Sequence, residues 1–148
     1  MLTLLNHLSQ EIIDNIIKLS LYQHVTEENV WQKTGASDPE LGTFFDPTSS
    51  AVRDALATKN LLRQRLATCL QALSAEQRIE LTALMWLGRA DADLPGRPVK
   101  EAFKELCDHA RRISDDGDIL YLMEKPPHDY LRHAMTMSAT GVVTPYSA

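Results

Sequence analysis

Residues 81–89 read Leu-Thr-Ala-Leu-Met-Trp-Leu-Gly-Arg, and this stretch decides the fold. At about 100° per residue, its apolar side chains point to nearly every side of a helix. A helix that is apolar all round is buried among other elements. The stretch is too short to cross a membrane, which takes about 20 apolar residues. The sequence therefore predicts a buried central helix over residues 75–87.

The composition is that of an ordinary globular protein. The 148 residues are 44% hydrophobic and 24% charged, and both this length and this balance fit one domain. Helix-favouring residues dominate and alternating β-branched runs are absent, so mostly α structure is expected. We predict an all-α fold, a single compact bundle of five or six helices spanning residues 1–139. Residues 140–148 carry little apolar surface and are predicted to form a mobile tail.

The net charge of −5 is unevenly distributed along the chain. Residues 51–112 carry eleven Lys and Arg against eight Asp and Glu, whereas both flanking parts are acidic. Acidic ends folded over a slightly basic middle would explain this pattern, and so would a basic face for an acidic partner. The overall negative charge argues against general nucleic-acid binding.

The cysteines and the N-terminus bear on the compartment. Cys69 and Cys107 fall on apolar helical faces, as expected of reduced structural thiols. The N-terminus lacks the basic start of a signal peptide, and polar residues interrupt its apolar run. The sequence therefore predicts a cytoplasmic protein without membrane association.

The first predicted helix spans residues 3–24 and has a wide apolar face. Its central stripe consists of Leu5, Leu8, Ile12, Ile16 and Leu19. This face either packs into the core or is shared with a second copy of the chain, which makes the helix a candidate dimer element. Thr26 then resembles the N-cap of a short separate helix over residues 27–33.

The next part of the chain leads into the central helix. Phe44 and Phe45 lie in a loop of turn-forming residues. They either pin this loop to the body of the protein or form an exposed anchor for a partner. A long helix over residues 51–73 follows. Ser74 to Gln77 match a capping box, which begins the central helix almost without a loop. Such a tight connection predicts that the two helices are antiparallel neighbours.

Three further helices are predicted after the central one. Gly88 is expected to end the central helix in the left-handed conformation. Residues 98–113 are cleanly amphipathic, with Lys104–Asp108 and Asp108–Arg112 at i,i+4 on the charged side. A short helix over residues 118–124 and a last helix over 128–139, ended by Gly141, complete the chain.

The central stretch and the C-terminal part together resemble an uncharacterised bacterial family, a domain of unknown function. Residues 81–91 match its Leu-x-Ala-Leu-x-Trp-Leu-Gly-Arg-x-Asp signature, with Ala90 where the family often has Gly. Residues 121–126 and 129–131 resemble its C-terminal Tyr-Leu-x-x-x-Pro and Asp-Tyr-Leu segments. The resemblance covers about residues 52–135. It implies a cytoplasmic helical domain and no particular reaction.

Arg89 and Asp91 are the best candidates for a ligand-binding site. They lie at the predicted end of the central helix, where Arg89 could hold a carboxylate or phosphate and Asp91 could orient it. Equally, Arg89 suits a helix C-terminus, and Asp91 could cap the turn or pair with it. Tyr121 and Tyr130 are either packing aromatics or the edge of the same pocket.

The sequence contains no signature of catalysis, of a metal or of a cofactor. Cys107 and His109 lie on different sides of one helix, which separates a nucleophile from a base. Phosphate-loop, dinucleotide and Gly-x-Ser-x-Gly motifs are absent. Glu105 and His109 stand at i,i+4, but no third metal ligand follows at helical spacing. Trp86 is predicted to be a core residue rather than a ligand platform.

The sequence best fits a non-catalytic protein-interaction or regulatory module that binds a protein partner or a second copy of itself. One alternative is a small-ligand-binding protein or enzyme that uses Arg89 and Asp91. The other is a nucleic-acid-binding protein. Its basic clusters would be Arg63, Arg65, Arg111 and Arg112. The connector after the central helix is, however, too long for a helix-turn-helix.

Overall fold

The computed structural model describes residues 4–34, 50–91, 93–113, 122 and 127–146, and for 26–34, 50–52, 55 and 56 it describes the backbone alone. Five helices are defined: α1 Gln10–Thr34, α2 Ser50–Gln71, α3 Ala75–Arg89, α4 Val99–Ile113 and α5 Pro127–Thr140. In these ranges the only β pairing is an isolated bridge between Pro98 and Val142. The predicted all-α bundle is confirmed. Phe44, Phe45 and Tyr121 lie outside the described residues. So does the predicted helix over 118–124 apart from Leu122, which is helical and buried.

Helix α3 is the central element that residues 81–89 predict. Leu81 and Leu84 are fully buried and Met85 is 1% exposed, although they point to different sides of the helix. The predicted capping box is present, because Ser74 N–H donates to Gln77 Oε1 at 2.9 Å and Gln77 N–H donates to Ser74 Oγ at 3.2 Å. Helix α3 packs chiefly against α4 and α5, whereas α2 packs mainly against α1. The expected pairing of α2 with α3 is therefore not the main contact of either helix.

The end of α3 differs from the prediction. Gly88 is a helical residue, and Ala90 takes the left-handed conformation with φ 51° and ψ 52°. The Ala90 N–H donates to the carbonyls of Trp86 and Leu87 and closes the last turn. Gly88 is needed for a different reason: a Cβ there would overlap the backbone carbonyl of Tyr130 in α5. It permits close packing of two helices rather than a turn.

Helix α1 begins and ends later than predicted. Ser9 precedes it, and its Oγ accepts the Ile12 N–H at 3.2 Å, as in an N-cap. The helix then continues from Gln10 to Thr34, so the prediction of a cap at Thr26 and a separate helix over 27–33 is wrong. Within the predicted stripe Leu8 and Ile16 are buried, and the neighbouring Ile13 is fully buried as well.

The segment before α1 is held by a buried carboxylate of the central helix. Glu80 is 4% exposed, and its oxygens accept the N–H groups of Asn6, His7 and Leu8 at 2.9, 2.6 and 2.9 Å. Charge-assisted hydrogen bonds of this kind offset the cost of burying a charge. Glu80 therefore fixes residues 6–8 against the N-terminal half of α3.

A second buried polar contact joins α1 to α5. Ser20 and His128 are 5% and 3% exposed, and Ser20 Oγ lies 2.8 Å from His128 Nδ1. His128 Nε2 lies 3.6 Å from Asp129 Oδ1. Burial lowers the pKa of His128 below 6.5, more than the nearby Asp129 raises it. The fold therefore favours the neutral imidazole at this interface.

Helix α4 has the predicted amphipathic arrangement with two differences. Its apolar side is buried at Val99, Ala102, Phe103 and Ala110. Ile113, the last residue of the predicted amphipathic helix, is 51% exposed because it lies at the helix end. The predicted i,i+4 pairs of Asp108 are not formed; Asp108 instead contacts Arg111 at 3.3 Å, and Arg111 also reaches Glu76 of α3 at 3.1 Å.

Residues 141–146, here called the C-terminal strap, are attached to the loop between α3 and α4. Val143 N–H donates to Arg97 O and Gly96 N–H donates to Val143 O, at 2.9 and 2.8 Å. Val143 is 1% exposed. The strap also receives His133, whose ring nitrogens lie 2.6 Å from Gly88 O and 3.0 Å from Thr144 Oγ1. The range predicted as a mobile tail, residues 140–148, thus includes the last residue of α5 and a buried valine whose contacts the sequence did not indicate.

No helix in the described parts of the chain is both long and apolar enough to cross a bilayer.

Candidate functional site

An open groove lies where α3 ends and α4 turns back beside it. It has a volume of about 500 Å³ and is not an enclosed cavity. The groove is lined by Trp86, Arg89, Asp91, Asp93, Leu94, Arg97, Leu106 and His109. The end of α3, the connecting loop and the middle of α4 each contribute to this set, here called the Trp86 groove.

The apolar part of the groove is formed by Trp86, Leu94 and Leu106, all of them partly buried. The Trp86 ring packs against His109 with centroids 5.4 Å apart and a tilt of 48°. Trp86 was predicted to be core, and the structure places it instead at the boundary between the core and this groove. The α3 residues before it are buried, so its backbone position is set by the packing of the central helix.

The groove continues along α4. A second hollow of about 390 Å³ is lined by Leu94, Glu105, Leu106, Asp108, His109 and Arg112. It shares Leu94, Leu106 and His109 with the Trp86 groove. The two hollows therefore adjoin one another along one side of α4.

The first ion pair on the rim joins the two residues that the sequence singled out. Arg89 Nε and Nη2 lie 2.7 and 2.6 Å from Asp91 Oδ2. These two of the three guanidinium nitrogens therefore contact the same carboxylate oxygen. The pair follows directly from the left-handed turn at Ala90, which brings the chain back toward the end of α3.

The second ion pair crosses from the loop to α4. Arg97 Nη1 lies 2.8 Å from Glu105 Oε2, and Nη2 lies 2.7 Å from Glu105 Oε1. This two-point contact raises the pKa of Arg97 and lowers the pKa of Glu105, in each case chiefly through the hydrogen bond between them. The strap supports it, because Arg97 O accepts the Val143 N–H.

The structure separates the predicted site residues. Arg89 and Asp91 are together on the groove, whereas Tyr130 is not among the residues that line it. The Tyr130 ring packs edge to face on Tyr146 of the strap, with centroids 5.2 Å apart. Tyr121 lies outside the described residues.

Other groups that could carry chemistry lie away from this groove. Cys107 lines a hollow beside Glu80, and burial, with a further contribution from Glu80, raises its pKa to about 11, so the thiol stays protonated. Ser20 and His128 are buried between helices, which shields them from a substrate. Across the described residues no three potential metal ligands cluster together. Of the basic clusters weighed for nucleic acid, Arg111 is already paired with Glu76 and Asp108.

Five residues of the groove were not predicted to belong to a site: Asp93, Leu94, Arg97, Leu106 and His109. One signal was available, because Leu94 is the one large apolar residue in the loop over 90–98. Such a residue either packs down or offers a contact. The Arg97–Glu105 pair had no comparable signal, since its spacing does not match that of two residues on one helix face.

The groove is thus an open surface feature of an all-α bundle, formed where its central helix ends. Residues 63–139 match the family model described as a protein of unknown function, DUF3775. The match covers more than half of the chain and includes every residue of the groove, and the chain belongs to this family. Comparison with curated proteins found no match, and neither did comparison with solved structures.

Proposed function

We propose that the protein is a non-catalytic, cytoplasmic protein-interaction module that binds a segment of a partner protein in the Trp86 groove. The observation that carries the proposal is the arrangement of Trp86. This large aromatic lies partly exposed beside two leucines in an open groove. Free thiols at Cys69 and Cys107 are consistent with a reducing compartment.

The groove has the features of an interaction hot spot. Binding energy in protein interfaces concentrates on a few residues, with Trp and Arg enriched, surrounded by contacts that exclude water. Here Trp86, Leu94 and Leu106 supply apolar contact. The Arg89–Asp91 and Arg97–Glu105 ion pairs lie beside them and form the polar rim of the groove. Arg97 and Glu105 already neutralise each other through two contacts between the guanidinium and the carboxylate, so a partner need not neutralise either charge.

Small-ligand binding at the same place is the second candidate. Its support is that a hollow of about 500 Å³ lies beside Arg89 and Asp91, a size within the range of ligand sites. We favour a partner segment because the hollow is open and extends along α4. A small ligand would leave much of that surface uncovered.

The proposal is tested with peptides selected from a random dodecamer display library on the full chain. Affinities of the selected peptides are then measured for the wild type, Leu94→Asp and Leu61→Asp. Leu94 lines the groove, whereas Leu61 is 47% exposed on α2, so the second variant is a matched control for the added charge. We expect at least a tenfold loss for Leu94→Asp, about 1.4 kcal/mol, and no change for Leu61→Asp.

Circular dichroism must show that both variants keep their helix content. Peptides that bind Leu94→Asp as tightly as the wild type, or a library that yields no binder, would refute the groove as a protein-binding site. A small molecule that competes with the peptides would instead favour the second candidate.

Self-association through α1 is a separate proposal. Tyr22 and Val25 stand at i,i+3 on this helix and are 55% and 44% exposed, and apolar side chains so placed could be covered by a second copy. Light scattering after size exclusion tests it. A dimer that Tyr22→Lys converts to a monomer supports the proposal, and a monomer at tens of micromolar contradicts it.

A further inference from the structure

We infer that the partner segment carries a basic side chain, Lys or Arg, next to the apolar side chain that enters the groove. The inference rests on the proposed function, because it specifies what the same groove binds.

The acidic side chains of the rim are more exposed than the arginine side chains. In the Arg89–Asp91 pair the side chains are 34% and 58% exposed, and in the Arg97–Glu105 pair they are 32% and 65% exposed. In both pairs the acidic side chain is thus more exposed than the arginine side chain, so both carboxylates are accessible to a partner.

Two carboxylate groups have capacity for a further donor. The Nε and Nη2 atoms of Arg89 both contact Asp91 Oδ2, so Oδ1 of the same carboxylate keeps its lone pairs. Asp93 is exposed, lines the groove two residues further on, and makes no ion pair with a described residue. A cationic donor placed between Asp91 and Asp93 would find acceptors on both sides.

The ion pairs of the rim agree with this assignment. Asp91 is paired with Arg89 and Glu105 with Arg97, which leaves the Asp93 carboxylate outside these pairs in the Trp86 groove. On the continuation along α4, Asp108 is paired with Arg111. The Trp86 groove thus offers a carboxylate to a basic side chain, next to an apolar floor for the neighbouring side chain of the partner.

The test uses the peptides selected on the full chain, with Asp93→Lys and the control Asp54→Lys, an exposed acid on α2. We expect selected peptides to contain Lys or Arg within two positions of their apolar anchor. Asp93→Lys should weaken them five- to tenfold, and Asp54→Lys should not. Replacing the basic residue of a peptide by Gln should give a similar loss and remove most of the sensitivity to Asp93→Lys. Raising NaCl from about 0.05 to 0.5 M should weaken the parent peptide more than the Gln peptide.

The two proposals can fail separately. Peptides that need Leu94 but lack a basic residue, or that do not respond to Asp93→Lys, overturn the inference and leave the groove as a binding site. Acidic peptides that bind Asp93→Lys more tightly overturn it as well. Peptides that do not need Leu94 remove the proposed function, and the inference with it.

Discussion

Gly88 and Ala90, two small residues at the end of α3, have opposite requirements. A methyl group at 88 would overlap the Tyr130 carbonyl, which belongs to the backbone and cannot rotate away. We expect Gly88→Ala to cost about 1–3 kcal/mol, despite the higher helix propensity of Ala. Ala90 holds φ at 51°, where an L-residue pays about 1–2 kcal/mol. Ala90→Gly should therefore stabilise the protein by up to about 1 kcal/mol, after the entropy that Gly adds to the unfolded chain.

Urea unfolding of both variants measures these changes. The two variants distinguish the helix end seen in the structure, where Ala90 is left-handed, from the end predicted by the sequence, where Gly88 is left-handed. If Gly88 were the cap, Ala90→Gly would bring no gain. A destabilised Ala90→Gly variant would thus contradict the turn described here.

His128 predicts how stability depends on pH. Because burial lowers its pKa in the folded state, the unfolded chain binds the proton more readily. The contribution of His128 is therefore complete above about pH 6.5, the unfolded value, and is lost as the pH falls from there toward the folded pKa. His128 alone can change the free energy of unfolding by at most about 1.4 kcal/mol per pH unit.

Unfolding free energies between pH 5 and 8 for the wild type and His128→Gln test this. Gln can still bond Ser20 but does not titrate in this range, so its curve should be flatter on the acid side. The other four histidines are present in both proteins, and equal slopes would show that His128 is not the group responsible.

At the scale of the helices, local signals predicted α3, α4 and α5 well. The capping box at Ser74 and the end of α5 at Gly141 were read from residues within one turn of the boundary. The bounds of α1 were predicted less well. Its start depends on the cap at Ser9 and on the hydrogen bonds from residues 6–8 to Glu80, which is more than 70 positions away in sequence. Thr26 is a residue type that can cap a helix, but α1 continues through it to Thr34.

The strap gives a matched pair of variants one residue apart. Val143 is 1% exposed and Val142 is 45% exposed. Val143→Asp would bury a carboxylate without a partner and should cost about 3 kcal/mol or more, whereas Val142→Asp should change stability by less than about 0.5 kcal/mol. Thermal unfolding measures both. Since Val143 bonds the backbone of Gly96 and Arg97, Val143→Asp should also weaken groove peptides; equal melting temperatures for the two variants would show that the strap is not packed.

At the scale of the molecule, the sequence could identify part of the site but not its shape. Arg89 and Asp91 stood out because they follow an apolar helix, and they do lie on the groove. The groove itself depends on α4 returning beside α3 and on the strap holding the loop, neither of which has a local signal. Trp86 was assigned to the core for a sound reason, since its neighbours in α3 are buried. Which side of a buried helix comes to the surface at its end is decided by the elements around it.

The central claim is that Trp86 lies on a binding groove at the end of a buried helix. Trp31→Phe leaves Trp86 as the single tryptophan, since the chain has two. In this variant acrylamide quenching reports the exposure of Trp86 directly, with and without a selected peptide. We predict measurable quenching in the free protein, and a blue shift with reduced quenching when the peptide binds. A tryptophan that acrylamide does not reach, or one whose emission and quenching are unchanged at saturating peptide, would contradict the account.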